Sequence, residues 1–481
     1  MLDPVTAFEA LLLVLVFLGL LIPLLDKGGK GEKKSSLAGP LAVVILLISL
    51  ALALVMAFEL SRLPEPIYAF EDTMRFDSYS AYLGALVAFG TLLVALASLP
   101  EVSPWPTAPS YFSLLLLTLA GVLSMLYVSD SAVLLSAWTI VAVASYVVVG
   151  LKKDASSLEG AAKYGLMGAA SSSLLVFGLA VLVGLTGTSF LPIEFGLPGA
   201  DMSLLLLCVL LLIAAFGFKL GVFPFHGWLP DVYGGVHPIL VSYIAGVVKM
   251  AAIAGLLRMV LPLAPTVSHR WLLTLGLFAV LTMTFGNMVA LLQRNVQRMM
   301  AYSSIAHAGY LLVGFAAAAD PLARQVGLQG VALHLTTYVL AKVGIFVALA
   351  YLLRKGVGLT LSDLRGMGRR MPVFGIAFST LLLSLMGMPP LIGFWSKFTY
   401  LFYSVVDTAP WLALIGVLNS GISVGYYAQV IRYLYFAGEA PEEAPREELR
   451  DPEVCVVALT ALLTLVLGLG LAQPLAEFTG P

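Results

Sequence analysis

The chain has little of what builds a soluble surface or a redox centre. Of its 481 residues, 11% are charged, two are cysteine and five are histidine. Cys208 and Cys455 stand far apart, in or beside apolar runs. They make neither a disulfide framework nor a metal-ligand spacing and read as small buried side chains. The scattered histidines offer no convincing pair of axial haem ligands. Walker A and Rossmann sequences are both missing, so neither nucleotide hydrolysis nor dinucleotide chemistry has a binding loop. No cofactor is therefore expected on this chain, and any energy must come from a gradient or an attached partner. A net charge of −1 gives nucleic acid nothing to bind. The N-terminus lacks the basic n-region and small-residue cleavage site of a signal peptide. Its apolar stretch Thr6–Leu25 is long enough to be a first membrane helix.

What remains is apolar. The chain is 60% hydrophobic with a mean hydropathy of +0.99, the composition of an all-α polytopic membrane protein. Apolar windows of about 20 residues predict fourteen helices. They lie near 6–25, 41–60, 78–99, 110–128, 131–151, 160–186, 203–225, 236–262, 270–293, 300–319, 327–353, 373–400, 409–437 and 452–473. The connections are too short for an extramembrane catalytic domain. Lys27, Lys30, Lys33 and Lys34 follow helix 1, Lys152 and Lys153 helix 5, and Arg294 and Arg298 helix 9. Arg354, Lys355, Arg365, Arg369 and Arg370 follow helix 11. The intervening connections are poorer in basic residues and carry Glu65, Glu71, Asp72, Glu194 and Asp201. The positive-inside rule then puts odd-numbered connections in the cytoplasm and both termini outside the cell membrane. The loop Glu439–Asp451 after helix 13 is acidic, with Arg446 and Arg450, and is mildly discordant.

Against this background stand four lysines within spanning segments, Lys219, Lys249, Lys342 and Lys397. Each ammonium at mid-bilayer costs about 2.5–3.5 kcal/mol on insertion scales, and an intramembrane charge reads by default as part of an ion or proton pathway. Burial disfavours the charged form of a lysine, which suits it to release a proton. Lys342 has His334 eight residues earlier on nearly the same helix face. Snorkelling or a structural ion pair is the bland alternative; it suits Lys163, one helical turn after Glu159. His226, His237 and His307 stand near helix ends, where a histidine usually satisfies local hydrogen bonds.

Two helices are interrupted, helix 7 around Phe223–Pro224 and helix 12 around Met388–Pro389–Pro390 and Gly393. Proline removes a donor and clashes with the preceding turn. Such breaks survive at membrane depth only where protein or a wet cavity satisfies the freed backbone. Their matched positions suggest inverted repeats with the site at the breaks. The repeats would be helices 4–8 (residues 106–262) and 9–13 (263–437), flanked by 1–105 and 438–481.

These residues resemble those of a known family, the antiporter-like membrane subunits of respiratory complex I and its relatives, and most of all its N-type members. The resemblance rests on GFKLGVFPFHGWLPDVYGG (217–235) with the segment through Lys249, AYSSIAHAGYLLVG (301–314), LSDLRGMGRRMP (361–372), SLMGMPPLIGFWSKF (384–398) and SLEGAAKY (157–164). It implies fourteen helices, two inverted five-helix repeats and a central polar axis. It further implies proton transfer through Lys219, Lys249 and Lys397, driven by quinone reduction in neighbouring membrane subunits that hold the quinone and donor cofactors. The donor would be NADH, reduced F420 or ferredoxin. Lys342 with His334 is more similar to the lysine and histidine of the L-type, M-type and sodium/proton antiporter members. A multi-subunit sodium/proton antiporter or a membrane-bound hydrogenase is thus the alternative, and a stand-alone solute transporter a distant third.

One departure matters. Family members carry a helix 5 glutamate that pairs with the helix 7 lysine, whereas this chain reads SAWTIVAVASYVVVG there. Thr139 or Trp138 takes that place, depending on which flanking text anchors the comparison, and neither ionises. The charge that would favour protonated Lys219 is lost. Asp130, nine residues earlier and about 13 Å along a helix axis, looks like an N-cap.

Overall fold

A computed structural model describes residues 3–25, 37–190 and 201–478. Lys27, Lys30, Lys33, Lys34 and Glu194, which entered the charge reading, lie outside the described residues. Among those residues, thirteen helices are long and apolar enough to cross a membrane. They are α1 (Pro4–Leu24), α2 (Ala38–Leu60), α3 (Ser78–Val102), α4 (Ala108–Tyr127), α5 (Ser131–Gly150), α6 (Ala155–Thr186), α7 (Met202–Leu220), α8 (Pro238–Val267), α9 (Arg270–Leu291), α10 (Val296–Ala319), α11 (Pro321–Arg354), α13 (Pro410–Tyr435) and α14 (Pro452–Phe478). The shorter apolar helix α12 (Pro372–Met386) completes the set. The chain is a predominantly helical, multi-pass membrane protein of the all-α class.

Short polar side chains between the apolar runs start the helices. Asp77, Asp130, Asp154, Asn295 and Asp320 each sit in extended backbone and accept a hydrogen bond from an amide of the following first turn. Asp130 caps α5 as its sequence position suggested, accepting from Ala132 N at 2.8 Å and Val133 N at 3.0 Å.

Where the two interrupted helices stop is set by glycine before proline. α7 ends at Leu220 and Gly221 follows at φ +81°; α12 ends at Met386 and Gly387 follows at φ +91°. That left-handed conformation terminates a helix and costs glycine no Cβ clash. Cis peptides then precede Pro224 and Pro390. Helix 7 thus stops short of the expected 225 and the chain turns into a short helix, Trp228–Gly235. Helix 12 resumes as Ile392–Phe394 and a π-helical turn, Trp395–Leu401. Neither half of helix 12 is long enough to span alone, so a single apolar window of 28 residues is two pieces here.

The chain forms two compact units, Met1–Leu220 with Val247–Ser268, and Gly221–Gly246 with His269–Gly480. In the first, a two-stranded hairpin, β1 (Ile67–Ala69) and β2 (Met74–Phe76), pairs Ile67 with Phe76 and Ala69 with Met74 between α2 and α3. Hydropathy did not foresee it. Below it Arg258 reaches out of a π turn in α8, Leu256–Val260. Its guanidinium pairs with Asp77 at 2.7 Å and donates to Leu126 O at 2.6 Å, Ser80 Oγ at 2.6 Å and Arg75 O at 3.1 Å.

In the second unit, the loop Glu439–Asp451 straps the end of the bundle. Arg370 donates to Ala444 O and Glu442 O, both at 3.1 Å. Arg354 forks onto Glu453 at 2.8 and 3.1 Å and pairs with Asp451 at 2.9 Å. The acidic loop and the basic connection after α11 are therefore partners at one end. Glu447 accepts from Val373 N at 3.2 Å and Phe374 N at 2.9 Å, capping α12 from 73 residues away. Glu447→Ala should lower unfolding stability by about 1 kcal/mol, read by thermal denaturation in detergent. Glu447→Gln should recover most of the loss, and an unchanged midpoint in the alanine variant would remove the cap from the account.

Candidate functional site

All four lysines are buried, at 2% exposure for Lys219, 5% for Lys249 and 0% for Lys342 and Lys397. The breaks supply carbonyls for two of them. Lys249 Nζ donates to Leu220 O at 2.9 Å, the last residue of α7. Lys397 Nζ donates to Leu385 O at 2.6 Å and Met386 O at 3.5 Å, the last residues of α12, and to Ser420 Oγ at 3.3 Å. The carbonyls that end a helix have no intrahelical donor and carry its negative partial charge, so an ammonium there satisfies both groups. Both lysines also adjoin π turns: Lys249 follows Ile244–Val248 and Lys397 lies within Trp395–Leu401. A π turn leaves the regular bonding register and is enriched at functional positions.

In the second unit the polar side chains join into one chain of hydrogen bonds. Lys342 Nζ donates to Met300 O at 3.0 Å and Ser303 Oγ at 2.8 Å. The Ser303 hydroxyl meets Tyr427 OH at 2.6 Å, and Tyr427 OH meets His307 Nε2 at 3.1 Å. His307 Nδ1 faces His334 Nε2 at 3.0 Å with the rings stacked, and His334 Nδ1 faces Ser396 Oγ at 3.1 Å. Hydroxyls and imidazoles both accept and donate, so a proton can be handed from one member of this chain to the next. The chain runs from Lys342 to Ser396, the residue before Lys397, without a gap that needs water. Lys397 Nζ itself stands 4.6 Å from the Tyr310 ring centroid. Tyr310 OH accepts from Asn287 Nδ2 at 2.9 Å.

Among the described residues, the two buried carboxylates are committed elsewhere. Asp130 caps α5, and Glu453 is forked by Arg354. Neither Lys219 nor Lys397 forms a salt bridge among the described residues. Around Lys219 stand aromatic rings instead, with Nζ 4.9 Å from Trp138, 5.7 Å from Tyr146 and 5.9 Å from Tyr164.

The helix 5 ambiguity is resolved by this packing. Thr139 lies on the exposed face of α5, its hydroxyl donating to Leu135 O at 2.8 Å. Together with Ser172 and Ser173 it lines an open groove of about 540 Å³ on α5 and α6. Trp138, one residue back and 1% exposed, is the side chain that meets Lys219. A one-residue step rotates a side chain about a quarter-turn around a helix, so Thr139 does not occupy the place facing the lysine.

His307 corrects a second expectation. It is fully buried in the middle of α10 rather than near a helix end. The spacing of Ser303 and His307, four residues on one helical face, was the available signal; Tyr427 and Ser396 had none. His237 does satisfy a local bond at a helix start, accepting from Ile239 N at 3.4 Å. His226 packs against the rings of Phe223 and Phe285 beside Pro224. Glu159 and Lys163 pair at 2.9 Å on the surface of α6. Pro389 and Pro390 lie in the turn against α14, where a Cβ on Gly468 would run into Pro390 O.

Residues 129–423 match the family described as NADH:quinone oxidoreductase/Mrp antiporter, transmembrane. The chain is 33% identical over 423 residues to F(420)H(2) dehydrogenase subunit N of Methanosarcina mazei, covering 85% of this chain and 84% of that one. It is 34% identical over 412 residues to NADH-quinone oxidoreductase subunit N of Trichlorobacter lovleyi, covering 84% and 83%. A chain of respiratory complex I from Thermus thermophilus superposes with a TM-score of 0.81 at 27% identity, over 98% of this chain and all of that one.

Proposed function

The chain belongs to the NADH:quinone oxidoreductase/Mrp antiporter family of membrane proteins, and from that premise we propose that it is a proton-translocating subunit of a complex I-like quinone oxidoreductase. The observation that carries the reading is the unbroken hydrogen-bond chain from Lys342 through Ser303, Tyr427, His307 and His334 to Ser396. Each member can hold a proton or pass one, and none suits a hydrated metal cation better. Lys219 and Lys249 act as the corresponding pair in the first unit. Neighbouring membrane subunits carry the quinone site and the electron donor, and their redox step drives protons through this one. The two five-helix repeats, 106–262 and 263–437, put one broken helix in each half. Both termini lie outside the cell membrane, with the basic connection after α11 in the cytoplasm.

Sodium transport, the antiporter alternative, differs in its ligands. A sodium site needs several oxygens around the ion, whereas the buried chain is made of nitrogen and hydroxyl groups in mutual contact. With the whole assembly in vesicles and quinone reduction started in sodium-free buffer, proton translocation per electron should be at its full value. A stoichiometry that rises several-fold on adding sodium would overturn the proton reading in favour of the antiporter one.

A further inference from the structure

We propose that Trp138, Tyr146 and Tyr164 take the part of an acidic partner for Lys219, so that this lysine gains and loses its proton inside an aromatic cage rather than an ion pair. The inference rests on the reading of Lys219 as a proton carrier.

A buried ammonium without a counter-charge is costly unless something else favours its charged form. The face of an aromatic ring carries negative charge density and attracts a cation within about 6 Å of its centroid, tryptophan most strongly. Three such rings surround Lys219 Nζ, Trp138 at 4.9 Å being nearest. Lys219 is 2% exposed and has no salt bridge among the described residues, so the rings are not competing with a carboxylate.

The cage is built, not incidental. Trp138 Nε1 donates to Ser172 Oγ at 3.0 Å, and the indole is wedged edge-on against Phe216 at 5.6 Å. Tyr146 and Tyr164 meet edge to face at 4.7 Å. Ser145 Oγ donates to Tyr164 OH at 3.4 Å, and Phe218 stacks over that ring at 6.5 Å. Gly168 completes the socket, because a Cβ there would collide with the Tyr146 hydroxyl. Each ring is fixed by bonds at its polar tip or by contacts with other rings.

The consequence is mechanistic. A carboxylate can itself take up a proton and must separate from the lysine before the lysine is free to donate. Rings do neither: they favour the ammonium over the amine and never titrate in this role. Trp138, Tyr146 and Tyr164 are thus positioning residues that make Lys219 a carrier without a salt bridge to open.

The test uses the whole assembly in vesicles, reading protons translocated against electrons transferred. Trp138→Leu should lower the proton flux about tenfold. Fluorinated tryptophans placed at position 138 weaken the face while nearly preserving size, so flux should fall stepwise with each added fluorine. Trp138→Glu should outperform Trp138→Gln, since a carboxylate restores what the ring supplied. Lys219→Ala separates the two layers of the argument. If it leaves the flux unchanged, the relay role of Lys219 fails. If it lowers the flux while the fluorinated series stays flat, or Trp138→Glu and Trp138→Gln behave alike, the cage is overturned and the relay stands.

Discussion

Replacing His307 with phenylalanine should reduce proton translocation through this subunit by about 100-fold, the lower range for losing a positioned acid–base group, with the helices undisturbed. His307 touches Tyr427 through one ring nitrogen and His334 through the other, so it is where the chain from Lys342 turns toward Ser396. Phenylalanine fills the space and keeps the stacking surface against His334 and the edge contact with Tyr310. It can neither accept from Tyr427 nor exchange a proton with His334. Tyr427→Phe should have a similar effect, because it removes the hydroxyl between Ser303 and His307. The double variant should be little worse than either single one, as expected for links in series. The measurement is protons moved per electron in vesicles, with electron transfer as the internal control. Full stoichiometry in both single variants would mean that protons take a route that avoids this chain.

Arg258→Ala should destabilise the first unit by about 3 kcal/mol. The guanidinium is 10% exposed and Asp77 19%, so removing it leaves a carboxylate with little access to water to the Ser80 amide at 2.8 Å and Arg75 at 3.5 Å. It also abandons the carbonyls of Leu126 and Arg75 and the hydroxyl of Ser80. Arg258→Lys should rescue little, since one ammonium cannot reach all four partners. Burial pushes the Asp77 carboxyl up, but Arg258, the Ser80 amide and Arg75 together pull it below its ordinary value of 3.8. A carboxyl lowered in the folded state stabilises above its unfolded value and loses that contribution as pH falls through its folded value. The wild type should therefore lose this contribution only below about pH 3.8. Thermal unfolding in detergent across that range checks both statements. A midpoint for Arg258→Ala equal to wild type at neutral pH would show that the pair contributes nothing net.

How much of this was legible in one dimension can be seen residue by residue. The apolar windows located the spanning helices because a helix in lipid must satisfy its backbone internally and present apolar side chains to the tails. Asp130 was readable as a cap because the cue is local. The prolines flagged both interruptions, although glycine at 221 and 387 decides where each helix stops. Four lysines in apolar text could be singled out because the hydration an ammonium gives up on burial is the same wherever it is buried, whatever later offsets it.

The sequence by itself determined that this is an all-α membrane protein carrying buried cations at two broken helices. Only the tertiary structure decided what those cations meet. Hydropathy sums over a helix turn and is blind to its rotation, so it could not choose Trp138 over Thr139. Nor could it bring Tyr427 to His307, 120 residues away, or the loop at Glu447 to the start of α12. Those partners are chosen by side-chain packing, which depends on neighbours supplied by distant segments, while the hydration lost on burying a charge is set by the charged group itself.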